Sequence, residues 1–133
     1  MKIFTLIVFL ILGTIPAYAQ DTDGVLEVAR RVNSYFAQKW PDPTKDTFVG
    51  RKRPSSLWTR GVYYEGLMAL YSIDPQPNYL KYVDDWANFH KWTPRNGTTT
   101  TNADDQCCMQ TYLERYLVGD NRQQTIDNRK KRQ

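Results

Sequence analysis

Between residues 24 and 39 the apolar side chains Val25, Val28, Ala29, Val32 and Phe36 recur at i, i+3, i+4, i+7 and i+11, with Glu27, Arg30, Arg31 and Asn33 facing elsewhere. That spacing predicts an amphipathic helix with one side for packing. Asp21, Thr22 and Asp23 are candidate N-caps, and Pro41 and Pro43 end the helix. The polar stretch to Ser56, with Gly50 and Pro54, reads as a long connection. A compact domain normally keeps one of that length for a reason. Ser55 or Ser56 is placed to cap a second helix over residues 57–73.

The second helix has a different pattern. From Val62 to Ile73 its only charge is Glu65, and apolar residues cover the whole circumference, which predicts burial on all sides. Gly61 and Gly66 each cost ~1 kcal/mol in an exposed helix, so they point to close approach of another backbone or of a ligand. Asp74-Pro75-Gln76-Pro77 stops the helix. A third helix, amphipathic again, opens at Pro77 or Asn78 and runs to about Trp92, with Tyr79, Tyr82, Val83, Trp86 and His90 on one face. Pro94-Arg95-Asn96-Gly97 is turn chemistry. Asn102 then caps a fourth helix from Ala103 to about Val118, with Asp105 at N3 in a capping-box-like arrangement and Gly119 as the terminating residue. This helix also reads as mostly buried. A fifth, polar helix begins around Asn121.

The order amphipathic, buried, amphipathic, buried, polar predicts an all-α fold of alternating inner and outer helices, a two-layer array of helical hairpins. No strand-period segment competes with it. Two hairpins do not supply the walls that two buried helices need, and the polar tail is a poor solenoid cap.

Composition fits one ordinary domain: 133 residues, 41% apolar and 14% aromatic, enough for a real core. The formal charge of +4 suggests a basic protein. Its distribution does not: without Lys2 the count is 17 basic against 14 acidic groups, and setting aside Arg129, Lys130, Lys131 and Arg132 leaves 13 against 14. A near-neutral body with a basic tail argues against a nucleic-acid partner, which would need cations spread over a folded face.

Residues 1–19 predict a secretory signal peptide. Lys2 supplies the charged start, residues 3–12 the apolar run, Pro16 the break, and Ala17-Tyr18-Ala19 the small cleavage residues. The apolar run falls well short of the ~20 residues that span a membrane, so no membrane association is expected after cleavage. The expected location is secreted or periplasmic. Disulfides are permitted there. The two cysteines, Cys107 and Cys108, are adjacent and predict small buried apolar residues more readily than a bridge. With no CxxC or HExxH, and His90 as the only histidine, no metal site and no cofactor are expected. His90 itself reads as a packed or solvated outer-helix residue. Asn96-Gly97-Thr98 is a glycosylation sequon only in a eukaryotic source.

Three stretches carry a resemblance: LWTRGVYYEGL at residues 57–67, YLKYVDDW at 79–86, and above all NADDQ at 102–106 followed by QTYL at 110–113. Over about residues 24–128 the chain resembles the N-terminal part of glycoside hydrolase families 88 and 105, the unsaturated glucuronyl and rhamnogalacturonyl hydrolases. The resemblance implies the first third of an (α/α)6 toroid of inner and outer helices, with residues 20–133 as its truncated N-terminal portion. It also implies a substrate, the terminal unsaturated uronic acid of oligosaccharides left by polysaccharide lyases from polymers such as pectin or rhamnogalacturonan. The implied reaction is hydration of the C4=C5 double bond, needing two carboxylates in differing environments. Asp104 matches one of them; the other is implied on a later inner helix, so this chain alone is expected to be inactive.

Each candidate has a plainer alternative. Carboxylates in a first helical turn are favoured by ~0.3–1 kcal/mol without any function, a role that fits Asp105 better than Asp104. Trp58 and Arg60 open the other buried helix, where an aromatic face suits a sugar ring and a guanidinium suits a uronate; their alternatives are core packing and a surface ion pair. Glu65 is a ligand contact or the buried partner of an arginine. Two further functions stay open: a secreted non-catalytic helical module binding carbohydrate or a protein partner through its Trp- and Tyr-rich inner surface, and a basic-tailed adaptor for an acidic polymer.

Overall fold

A computed structural model describes the backbone of residues 22–130 and the side chains of residues 22–119, so the predicted leader lies outside the described residues. The elements in chain order are α1 (Thr22–Lys39), β1 (Thr47–Val49), β2 (Arg51–Arg53), α2 (Trp58–Ile73), α3 (Pro77–Phe89), α4 (Ala103–Gln106) and α5 (Cys108–Lys130). The fold is all-α apart from one small hairpin. It alternates as the periodicity predicts: α2 packs chiefly against α5 and α3, and α1 lies outside α2. Among the described residues no helix is long and apolar enough to cross a membrane.

The core lies between α2, α3 and α5. Trp86 and Val83 are fully buried, and the Trp86 ring stacks on Tyr64 with centroids 4.0 Å apart. The Trp86 indole Nε1 donates to the Ser55 carbonyl at 2.9 Å, satisfying the ring's one polar atom inside the core. Leu67, Met68, Leu80, Cys108 and Tyr112 close around this pair. Arg115 from α5 clamps Asp84 of α3 through Nε at 2.7 Å and Nη2 at 2.8 Å.

The structure departs from the expectations in several places. α1 packs with a face rotated from the predicted stripe: Ala29 and Phe36 turn inward as expected and Leu26 joins them, while Val25, Val28 and Val32 are 57–63% exposed. Phe36 sets this rotation by stacking on Tyr63 of α2. No serine caps α2; Leu57 holds the N-cap position, and Ser55 Oγ donates instead to the Thr44 carbonyl. α3 stops at Phe89 because Lys91 and Trp92 take left-handed backbone angles, which swing the Trp92 ring to within 5.3 Å of Tyr112. The fourth helix is broken at Cys107 and then runs through Gly119, so the predicted fifth helix is its continuation. A strand pair, absent from the expectations, stands at 47–53 and turns on Gly50 at φ +67, a backbone angle open to glycine. Three-residue strands are too short to show a period.

The all-round apolar character of α2 is only partly used. Val62 and Ile73 are 49% and 65% exposed, and on α5 Leu113 and Tyr116 are 61% and 68% exposed.

The largest polar link between α1 and the rest gathers at Asp74. Asp74 accepts from Arg30 Nε at 2.9 Å and Nη2 at 2.8 Å, from Gln76 at 3.0 Å and from Tyr79 Oη at 3.1 Å. These donors, Arg30 first, hold the Asp74 carboxyl well below the usual aspartate range. A depressed native value means the cluster's contribution is complete above the unfolded value of about 4. It declines as pH falls below that and is gone once the native value is passed. Urea unfolding at successive pH values below 5 is therefore expected to show a steeper loss of midpoint for the wild type than for Asp74→Asn. Parallel curves would show that the cluster carries no linkage.

Candidate active site

Gly61 is where the two buried helices meet. A Cβ there would stand 3.2 Å from Cys107 Sγ and 3.4 Å from backbone atoms of Cys107 and Cys108, so the α4–α5 junction sits against α2 only because the side chain is missing. Gly66 has nothing within 4 Å of the equivalent position and makes no such contact. The close approach brings Trp58, Glu65, Asp104 and Cys107 to one surface. Cys107 Sγ lies 3.8 Å from the Trp58 carbonyl and 3.6 Å from Glu65 Oε1. Burial raises the Cys107 thiol pKa, and the charge and hydrogen bond of Glu65, with Asp104 adding to them, raise it further. Both cysteines are free, Cys108 buried and Cys107 half-buried.

The two neighbouring aspartates have opposite environments. Asp105 is 5% exposed. Its Oδ2 accepts from Asn96 Nδ2 at 2.9 Å and Thr100 Oγ1 at 3.0 Å, and its Oδ1 lies 3.9 Å from Arg95 Nη1. It is occupied in holding the 95–100 loop. Asp104 is exposed, and only its backbone N–H is engaged, donating to the Asn102 cap at 2.9 Å. The carboxylate is thus presented to solvent from the first turn of α4, close enough to Cys107 for its charge to be felt by that thiol.

Arg60 is turned away from that surface. It is 3% exposed, its Nη2 donates to the Pro43 carbonyl at 3.1 Å, and its guanidinium lies 5.4 Å from the Phe36 ring centroid. Neither predicted alternative of a surface ion pair nor direct company with Asp104 describes it. Trp58, 43% exposed, borders both regions: its backbone touches the α4–α5 junction, and it also lines a cavity of about 360 Å³ with Phe36, Trp40, Val49, Arg53 and Arg60. His90 is half-buried, its Nε2 2.8 Å from Ser55 Oγ. Burial and the Arg60 charge lower its pKa against the opposing pull of Asp46. Among the described residues no group of three or more His, Cys, Asp or Glu is placed to hold a metal ion.

Sequence reasoning missed the thiol partner of Glu65 and the cationic wall at Arg53. The first was signalled only by Gly61. The second lies on the hairpin that no periodicity showed.

The Glycosyl Hydrolase Family 88 model matches residues 28–133, so the chain belongs to that family of glycoside hydrolases. No curated protein and no solved structure matches it significantly.

Proposed function

We propose that this protein acts on oligosaccharides ending in an unsaturated uronic acid, with Asp104 as one of the two carboxylates that hydrate the C4=C5 bond. The observation that supports the reading is the contrast at 104 and 105: of two adjacent acids, one is consumed by its own loop and the other is free at the surface that carries Trp58. In this reaction a proton adds at C4 of the enol ether and water adds at C5. The hemiketal so formed opens and releases the leaving sugar. Asp104 orients the sugar or the water, and Trp58 offers an aromatic face to the ring. Family membership favours this reading over a non-catalytic module. A secreted or periplasmic location follows from reading residues 1–19 as a leader.

The test uses the purified chain with an unsaturated galacturonyl disaccharide. Tryptophan fluorescence follows binding, and the ultraviolet absorbance of the double bond follows turnover. Binding is expected, weakened about tenfold in Asp104→Ala by loss of one charged hydrogen bond. Any loss of the double-bond absorbance is expected to vanish in the variant. Equal behaviour of variant and wild type removes Asp104 from the site, and failure to bind removes the substrate class.

A further inference from the structure

The cavity between the hairpin and the first turn of α2 carries an unbalanced charge. Of its lining residues Arg53 and Arg60 are cationic, and none is acidic. Arg60 is almost wholly buried, yet its Nε and Nη1 have no hydrogen-bond partner. Asp42 feels the Arg60 charge, but its own Oδ1 is engaged by Thr44 through N at 2.9 Å and Oγ1 at 2.6 Å. Arg53 makes no side-chain hydrogen bond or ion pair among the described residues. A buried guanidinium without a carboxylate is costly, and an anion entering beside it removes that cost.

The rest of the wall limits what the anion is attached to. Phe36 and Trp40 lie with ring centroids 4.5 Å apart, and Trp58 adds a third aromatic side chain. Aromatic faces suit the C–H face of a sugar ring, and Thr47 and Thr59 supply hydroxyls on the same wall. A volume of about 360 Å³ is near the lower end for small-molecule pockets, room for one or two rings. Beyond the cavity the hairpin continues with exposed Arg51 and Lys52.

We propose that this cavity is a second carbohydrate site, which takes a saturated uronic acid unit of an acidic oligosaccharide: carboxylate toward Arg53 and Arg60, ring against the aromatic wall, and the next carboxylate along the chain at the hairpin cations. The site is separate from Asp104, which does not line the cavity. It does not depend on the hydration reading, because its ligand needs no double bond.

Calorimetric titration of the full chain with a saturated galacturonic acid trimer tests it. Binding is expected; it weakens about tenfold in Arg53→Gln, a hairpin substitution outside the helical core, and falls by a similar factor between about 50 mM and about 500 mM salt. Asp104→Ala is expected to leave trimer affinity unchanged, whatever it does to the unsaturated disaccharide. The proposal is overturned by no binding, by equal binding of a neutral maltotriose, by wild-type affinity in Arg53→Gln, or by loss of trimer binding in Asp104→Ala.

Discussion

Trp86→Ala is expected to destabilise the protein by about 3–5 kcal/mol, the range for removing a large aromatic side chain from a closed core. Native domains hold only about 5–15 kcal/mol in total, so the variant stands at the edge of folding. Three contributions go at once. The ring is fully buried between Tyr64, 4.0 Å away, and Tyr112, 5.3 Å away, so its loss opens a void where α2, α3 and α5 meet. The Ser55 carbonyl loses its donor at 2.9 Å. The segment ahead of α2, anchored by that bond, is released. Trp86→Phe separates these effects, since it keeps most of the stack and gives up the indole N–H, for about 1–2 kcal/mol. Urea melts of both variants give the comparison. A loss under about 1 kcal/mol in Trp86→Ala would mean that the three helices are not organised around this ring.

The second large effect separates the two aspartates. Asp105→Ala is expected to cost about 2–4 kcal/mol, because it leaves Asn96, Thr100 and Arg95 without their shared acceptor in a nearly closed site. The 95–100 loop then loses its tether, and with it the fixed placement of the Asn102 cap. Asp104→Ala, two residues past the cap with its carboxylate in solvent, is expected to move stability by less than about 0.5 kcal/mol while removing the ligand effects described above. Thermal melts of the pair, run beside disaccharide titrations, give four numbers. A stable Asp105→Ala or an unfolded Asp104→Ala reverses the assignment of the two residues.

How far the sequence could be read follows from how local each signal is. The alternation of inner and outer helices was legible because it repeats every three to four residues over long segments, and Pro77 and Asn102 mark helix starts by chemistry that needs only near neighbours. Which face of α1 packs was not legible. Ala29 and Phe36 share a stripe with Val25, Val28 and Val32, and whether the valines or Leu26 accompany them inward is decided by Tyr63, 27 positions beyond Phe36. The hairpin was hidden by its brevity, and the run of α5 through Gly119 by a residue that often ends helices. In the site, the motif and the capping position already set Asp104 apart from Asp105, but only the structure shows what holds Asp105 and turns Arg60 away from Asp104. Those distinctions rest on Asn96, Thr100 and Pro43, up to seventeen residues off, through contacts that no spacing rule encodes.

The attachment of α1 has a consequence for how the molecule opens. No residue of that helix is fully buried, and it is joined to the body by the Arg30–Asp74 clamp, a Tyr63 hydroxyl donating to Asn33 at 2.8 Å, the Phe36 ring between Tyr63 and Arg60, and the half-buried Leu26 and Ala29. α2, α3 and α5 share the whole of the closed core. The native ensemble is therefore graded, with a peripheral helix that detaches at small cost and a three-helix unit that comes apart only in the global transition. The cavity with its two arginines is walled in part by Phe36 and Trp40, so it is assembled only while α1 is docked, and an occupant there draws the peripheral helix into the cooperative unit.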